Sequence, residues 1–452
     1  MEPVTGTRIG IRRSLSPLST ELAGITKRAQ RQKDCQFENL FSLLTVPALK
    51  WSFSQLRKNA STGVDKVTWK DYGENLDSNI EDLHKRLVEM RYRAPKVRRT
   101  YIPKANGKMR PLGIPCLEDK IVQRAVTDIL NATFDGDFMY TSYGYRKNKG
   151  AKDTVRDLTL ELQFGKYAYV VEADIKGFFD NLNHDWLISM IEERIKDRKL
   201  IRLIRKWLKA GILDTDGKTI NPMTGTPQGG IVSPILANIY LHFALDLWFE
   251  KVIKEKSKGR CFLVRYADDF VAGFQFKSEA DAFHRALIKR LGKFDLEVEP
   301  TKTGIHKFNK FKVDESTSFE FLGFAFQWQK NRKGGSTVKR TTSKKKFKLS
   351  LQNMKEWIIG NRSTPSKILF PMLRSKLTGY WNWYGVRGNT PMLKAFWVQT
   401  YDLLFKWLNR RSQRKSYTME GLNQVLVHFH IPAPHITEKP HTEPMKYLWK
   451  SA

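Results

Sequence analysis

The chain has 452 residues, with 79 Lys and Arg against 46 Asp and Glu and a formal net charge of +33. With 41% hydrophobic and 12% aromatic residues it can build a sizeable core, which excludes wholesale disorder, and its length suits two or three subdomains better than one. There is no run of roughly 18 apolar residues for a membrane span, no secretory signal, and no cysteine pairing among Cys35, Cys116 and Cys261, so an intracellular protein that binds a polyanion, nucleic acid before a membrane surface, is expected.

Residues 1–34 form a Ser/Thr-rich basic N-terminal arm, expected to be mostly mobile with a short helix over 21–32. Folding material begins near Phe37, with amphipathic helices around Leu40, Leu43 and Leu44 and around Leu83, Leu87 and Met90. Strands are predicted at 97–103 and 109–114 across an Asn106-Gly107 turn, then a helix over 118–134, a strand at 168–173, and helices over 184–209 and 231–250. A second hairpin joins 261–266 to 270–274, followed by a helix over 278–294 and short strands at 296–298 and 319–326. The basic run 330–348 reads as a linker or a nucleic-acid-facing stretch, 349–431 as helical and Trp-rich, and the Pro-rich end from Pro432 as extended. The expected class is therefore α+β, a small antiparallel sheet followed by an all-α region.

The sharpest chemical feature is Val264-Arg265-Tyr266-Ala267-Asp268-Asp269-Phe270-Val271, two adjacent aspartates where two apolar strands turn. Carboxylates placed there repel one another unless a cation sits between them, and hard oxygen ligands on a rigid turn suit Mg²⁺. An Asx-type turn explains the pair alone equally well. Asp174 alters the balance, because it ends the strand Tyr169-Val170-Val171-Glu172-Ala173, and aspartates at the ends of neighbouring strands suit a shared pair of Mg²⁺ ions in phosphoryl transfer. Glu172 and Asp180 read as structural.

Asp174 with Phe178-Phe179-Asp180, the segment Gly225-Thr226-Pro227-Gln228-Gly229-Gly230-Ile231-Val232-Ser233-Pro234, and Tyr266-Ala267-Asp268-Asp269 occur in the order found in reverse transcriptases. The chain resembles the reverse transcriptase/maturase proteins encoded by bacterial group II introns. Further matches are Tyr101-Ile102-Pro103-Lys104 leading to Arg110-Pro111-Leu112-Gly113-Ile114-Pro115, the block Phe319-Glu320-Phe321-Leu322-Gly323, Trp383-Tyr384-Gly385-Val386-Arg387-Gly388-Asn389, and Trp407-Leu408-Asn409-Arg410-Arg411-Ser412-Gln413. The likeness spans residues 37–437. One departure stands at Tyr143-Gly144-Tyr145-Arg146-Lys147-Asn148-Lys149-Gly150-Ala151-Lys152-Asp153, where the family carries a Pro-Gly-Arg-Ser-Ala-His stretch that contacts primer and template.

The resemblance implies a right-hand polymerase: fingers and a ferredoxin-like palm over 35–330, a linker plus helical thumb/maturase domain over 331–437, and a tail over 438–452. It implies that Asp174 and Asp268 ligate two Mg²⁺ ions (Mn²⁺ as a substitute) with the Ile175 carbonyl, and that Asp269 is the more peripheral ligand. Lys104 and Arg110 would hold the triphosphate, against a reading as plain surface charges. Phe179 would lie under the incoming sugar and exclude a 2′-hydroxyl, Phe178 filling the core beside it. Pro227, Gln228 and Gly229 would line the nucleotide and template, and Lys302 would neutralise or protonate the leaving pyrophosphate.

Trp381, Trp383, Tyr384, Phe396, Trp397 and Trp407 read mostly as core at helical spacing. Arg387, Arg410, Arg411, Arg414 and Lys415 are the RNA-contact candidates, while His428, His430, His435 and His441 lack the partners of a metal site. No zinc-containing HNH nuclease is expected. The implied partners are an RNA template, a DNA or RNA primer, deoxynucleotides, group II intron RNA and target DNA, in a cytoplasmic bacterial ribonucleoprotein. Two alternatives are an RNA-binding splicing factor with a silent polymerase core, against which the intact aspartates speak, and a polymerase recruited to host defence or repair.

Overall fold

The computed structural model describes residues 16–103, 109–220, 224–226, 229–331, 333–411, 413 and 416–438. The Asn106-Gly107 turn and Lys104, Pro227, Gln228, Arg414, Lys415 and His441 lie outside the described residues, as do the first 15 residues of the arm and the tail from 439. In chain order the strands are β1 (Val97–Pro103), β2 (Met109–Ile114), β3 (Ser142–Tyr143), β4 (Tyr169–Ala173), β5 (Ile212–Leu213), β6 (Thr219–Ile220), β7 (Cys261–Tyr266), β8 (Asp269–Phe274), β9 (Gly304–Lys307), β10 (Ser318–Phe321), β11 (Phe324–Lys330) and β12 (Ser336–Thr342).

The chain divides into two units. The first comprises residues 1–139, 177–244 and 294–296. Its sheet has the order β2-β1-β5-β6, with β1 antiparallel to β2 and parallel to β5. The core is helix Leu117–Phe134, apolar on nearly every side through Ile121, Val122, Ala125, Val126, Ile129 and Leu130, and therefore enclosed by helices Ser19–Arg31, Val46–Ser54 and Ser233–Leu241. Helix Arg198–Leu208 buries Leu200, Ile201, Leu203, Ile204, Trp207 and Leu208 and turns its basic residues outward. Asp197 starts it by accepting the Lys199 and Leu200 amides, and its other oxygen accepts the Phe41 amide at 2.7 Å.

The second unit comprises residues 140–176, 245–293 and 297–452. Its main sheet runs β3-β7-β8-β4-β9, antiparallel except where β3 meets β7, with helices Ala151–Phe164 and Lys277–Gly292 packed on it. A second sheet, β10-β11-β12, continues into helices Lys344–Asn361, Ser366–Tyr384, Thr390–Leu408 and Met419–His428. One apolar core runs from Val170 and Phe262 through Phe319, Phe326 and Trp328 to Trp381, Phe396 and Leu404. Asn389, fully buried, fastens sheet to helices by accepting the Thr342 amide and donating to Thr342 Oγ1 and the Tyr384 carbonyl.

Several sequence expectations need correcting. The described part of the arm is docked: helix Ser19–Arg31 lies along Leu117–Phe134, and buried Arg194 donates to the carbonyls of Ala29, Gln32 and Lys33. The single helix expected over 184–209 is broken into His184–Glu192 and Arg198–Leu208, because Ile195 bridges to Phe37 and Asp197 caps the second. The helix expected at 231–250 begins at Ser233 and contains π-helical turns at His242–Asp246 and Phe249–Ile253. The stretch 296–298 is not a strand; β9 follows it, a four-residue Gly-Ile-His-Lys segment without apolar alternation. The expected strand at 319–326 is a hairpin, turned by Leu322 and Gly323 at φ 51° and 83°. The basic run at 330–348 is β12 plus the start of a helix capped by Ser343, not a linker. The compact units also do not divide at 330, because the core of the second unit is continuous from sheet to helices.

Candidate active site

In the second unit β4 and β8 pair up to Ala173 opposite Phe270, so the next residues, Asp174 and Asp269, meet at the strand ends. The β7–β8 ladder closes at Tyr266 opposite Asp269, leaving Ala267-Asp268 as a two-residue loop. Only Ala267 has positive φ, 55°, in the manner of a type II′ turn where glycine is usual. A residue with a Cβ held there costs on the order of 1–3 kcal/mol, so the surroundings must over-determine it. They do. The Ala267 amide donates to the Tyr143 carbonyl at 3.1 Å, and its carbonyl accepts from Arg265 Nη1 at 2.9 Å.

Asp174 and Asp269 share a hydrogen bond, and burial, then the charges of Asp268 and Asp174, push the Asp269 carboxyl up to about 7. Asp269 is exposed as a residue at the start of β8, yet enough protein lies about its carboxyl to desolvate it. Lys302, on the 3₁₀ turn Pro300–Lys302, donates to Asp174 Oδ2. Desolvation pulls its ammonium down, but the bond to Asp174 and the charges of Asp174, Asp269 and Glu299 more than offset this and raise it. The Lys302 segment is held at its root, since the Glu299 amide donates to the Asp174 carbonyl at 2.8 Å and Ile175 bridges to Val298.

The structure thus brings together Asp174, Asp269 and Lys302, with Asp268 in the turn beside them. The donor set, carboxylate oxygens without thiol or imidazole, fits a hard divalent cation. Among the described residues no group of three or more such side chains is already assembled around a metal position. Glu172 lies elsewhere, 3.4 Å from His306 Nε2.

The nucleotide-side candidates that are described belong to the first unit. Phe178 is buried against Tyr240, while Phe179 is half-exposed on the turn Phe178–Asp180. The Thr226 amide donates to the Phe179 carbonyl at 2.7 Å, tying that turn to the glycine-rich segment. Gly229, at φ 122°, leaves no room for a side chain, because a Cβ would meet the Gly113 carbonyl oxygen at 2.6 Å. Arg110 projects from the exposed end of β2.

In the second unit Arg387, Arg410 and Arg411 are exposed, Arg410 lying over Trp407 and Arg411 over Tyr417. Trp381, Tyr384 and Phe396 are core, whereas Trp383 is exposed. Sequence reasoning missed Arg265, whose only signal was a charge inside an otherwise apolar strand.

Residues 102–326 match the reverse transcriptase (RNA-dependent DNA polymerase) family. The chain is 37% identical over 230 residues to the group II intron-encoded protein LtrA of Lactococcus lactis subsp. cremoris, a match covering 50% of this chain and 38% of that one. It is 30% identical over 349 residues to protein YkfC of Escherichia coli (strain K12), covering 69% of this chain and 88% of that one. Nuclear intron maturase 3, mitochondrial, of Arabidopsis thaliana is 26% identical over 299 residues, covering 59% and 40%. Among the described residues no helix is long and apolar enough to cross a membrane. Motifs, strand-end aspartates and relatives agree: the chain belongs to the reverse transcriptases of the group II intron-encoded kind.

Proposed function

We propose that the chain is an RNA-directed DNA polymerase that adds deoxynucleotides to a primer 3′-hydroxyl on an RNA template. The observation that carries this reading is the meeting of Asp174 and Asp269 at the ends of two paired strands, with Asp268 in the intervening turn and Lys302 bound to Asp174. Asp174, Asp268 and Asp269, with the Ile175 carbonyl, would hold two Mg²⁺ ions. Bound there, the ions supply charge stabilisation for the attacking and leaving oxygens of in-line displacement.

The chain's own groups do the rest. Asp269, raised to about 7, would have to be unprotonated to serve as a ligand, and a bound cation would favour that form. Lys302, its ammonium favoured by the carboxylates, remains charged and would neutralise the pyrophosphate as it departs. Lys104 and Arg110 hold the triphosphate, Phe179 rejects the 2′-hydroxyl, and Pro227, Gln228 and Gly229 line the template side. The exposed arginines Arg387, Arg410 and Arg411, with Arg414 and Lys415, serve binding of intron RNA, which this reading extends to splicing and to insertion into target DNA.

The test is primer extension on an RNA template with deoxynucleotides and Mg²⁺, run beside Asp268→Ala. Extension by the parent and none by the variant is expected. No extension by either, with tight RNA binding intact, replaces this reading with an RNA-binding splicing factor. Affinity for RNA should also fall steeply with salt, since each neutralised phosphate releases counterions.

A further inference from the structure

The aspartate turn is held from behind by a side chain that the chemistry of nucleotide addition does not itself require. β7 is apolar on both faces except at Arg265, which is 1% exposed. Its guanidinium forks onto buried Asp246, Nε to Oδ1 at 2.8 Å and Nη2 to Oδ2 at 2.6 Å. Nη2 also donates to Ser142 Oγ at 2.6 Å. Asp246 closes the π-helical turn His242–Asp246, a helix irregularity of the sort that re-aims side chains at functional sites.

The plain reading of such a pair is a satisfied ion pair in the core. Buried pairs add little to stability compared with apolar residues of similar volume, so stability is a poor reason for this one. Nη1 points to a better reason, because it donates to the Ala267 carbonyl at 2.9 Å. Ala267 is the strained residue of the loop, at φ 55°. Its amide is fixed by the Tyr143 carbonyl, and the chain lies so close that a Cβ on Gly144 would stand 2.8 Å from the Ala267 nitrogen.

The geometry points to Arg265, anchored by Asp246 and Ser142, as a positioning residue that keeps Ala267 left-handed and so fixes the direction in which Asp268 and Asp269 offer their carboxylates to a divalent cation. This rests on the polymerase reading above. Without the guanidinium, Ala267 relaxes toward negative φ and carries Asp268 with it. Glycine adopts positive φ without penalty, so a chain with glycine at 267 no longer depends on Arg265.

The experiment uses the full chain with Arg265→Met/Asp246→Leu, which leaves no charge buried, and Arg265→Lys, each with and without Ala267→Gly. Thermal unfolding, Mn²⁺ binding read by electron paramagnetic resonance of the free ion, and extension kinetics are measured on all. For the double variant, a melting point near the parent's is expected, with Mn²⁺ affinity and kcat down about tenfold or more and the deoxynucleotide KM within about twofold. Ala267→Gly should return most of that loss. A folded double variant with parental Mn²⁺ affinity and kcat overturns the inference, as does a loss that Ala267→Gly leaves untouched.

If the double variant fails to fold, Arg265→Lys decides on the same criteria, since lysine keeps the charge but not the fork. A parent that binds Mn²⁺ yet extends no primer refutes the polymerase reading alone, and Mn²⁺ affinity then judges Arg265. A parent that binds no Mn²⁺ overturns both.

Discussion

Two hairpins carry side chains of opposite charge, and they are built in opposite ways. In β1–β2 burial decreases toward the tip, from Val97 in the core to exposed Tyr101, Ile102 and Met109, and Arg110 stands in solvent. In β7–β8 nearly every residue is buried, and both backbone groups of Ala267 in the loop have partners. A cation that must reach a mobile, heavily charged ligand works from a solvated ribbon, since long side chains adjust. Carboxylates that must share an ion need a fixed separation, which solvent-exposed strands do not give. The first hairpin is nonetheless firm at its root, where Tyr92 donates to Asp119 and Trp207 donates to Tyr92 Oη at 3.3 Å.

The largest effect that would test this contrast is at the aspartates. Asp174→Ala and Asp268→Ala should each lower extension by about a thousandfold or more, with the melting point held, because on the proposed reading each removes a ligand of the cations that would stabilise the attacking and leaving oxygens. Gly144→Ala comes next. Its φ of 81° and the 2.8 Å approach to the Ala267 nitrogen leave the new methyl nowhere to go, so kcat should drop about tenfold or more as the turn shifts. A Gly144→Ala variant with parental kcat would show that the second hairpin tolerates movement after all. At the first hairpin, Arg110→Ala should raise the deoxynucleotide KM about tenfold and move kcat less, the cost of one charge-assisted bond.

The root of that hairpin gives a pH signature. Burial, opposed by the hydrogen bonds of Tyr92 and Trp207, pushes the Asp119 carboxyl up to about 7. Its value in the folded chain thus exceeds the unfolded one near 4. The native state holds a proton that the unfolded state has released, and stability from this group is complete below about pH 4 and is lost as pH rises through 7. Urea unfolding should show a decline of about 1 kcal/mol per pH unit across that window, which Asp119→Asn removes. The smallest effect is expected of Tyr101→Phe, which deletes an exposed hydrogen bond to Asp214 and should change stability by no more than about 0.5 kcal/mol.

The strands that hold the aspartates were legible because short, largely apolar segments met adjacent acids at their ends, a local signal. The helix Leu117–Phe134 was legible for the same reason, its apolar residues being dense and its first turn acidic. What was not legible depended on partners distant in the chain. β9 has almost no pattern of its own and is a strand because β4 lies beside it. The break at Arg194–Asp197 exists because Phe37 and Phe41 claim the backbone and the carboxylate there. Lys302 was placed by resemblance, and its bond to Asp174 is made across 128 positions of sequence. Arg265 gave a faint signal, but its meaning came only from Asp246, Ser142 and the twist of one backbone residue.

The pairing of β4 with β8 and β9 also sets an order of events during synthesis. Tyr169 pairs with Phe274 and with Lys307, so Asp174 leaves the ribosome well over a hundred residues before its ladder can close. The β1–β2 hairpin, whose two strands are neighbours in sequence, has its partner earlier. A nascent chain therefore exposes the β1–β2 ribbon long before the strands that carry Asp174 and Asp269 are fully paired, and a message cut short before codon 304 yields a basic polypeptide without the complete β3-β7-β8-β4-β9 sheet.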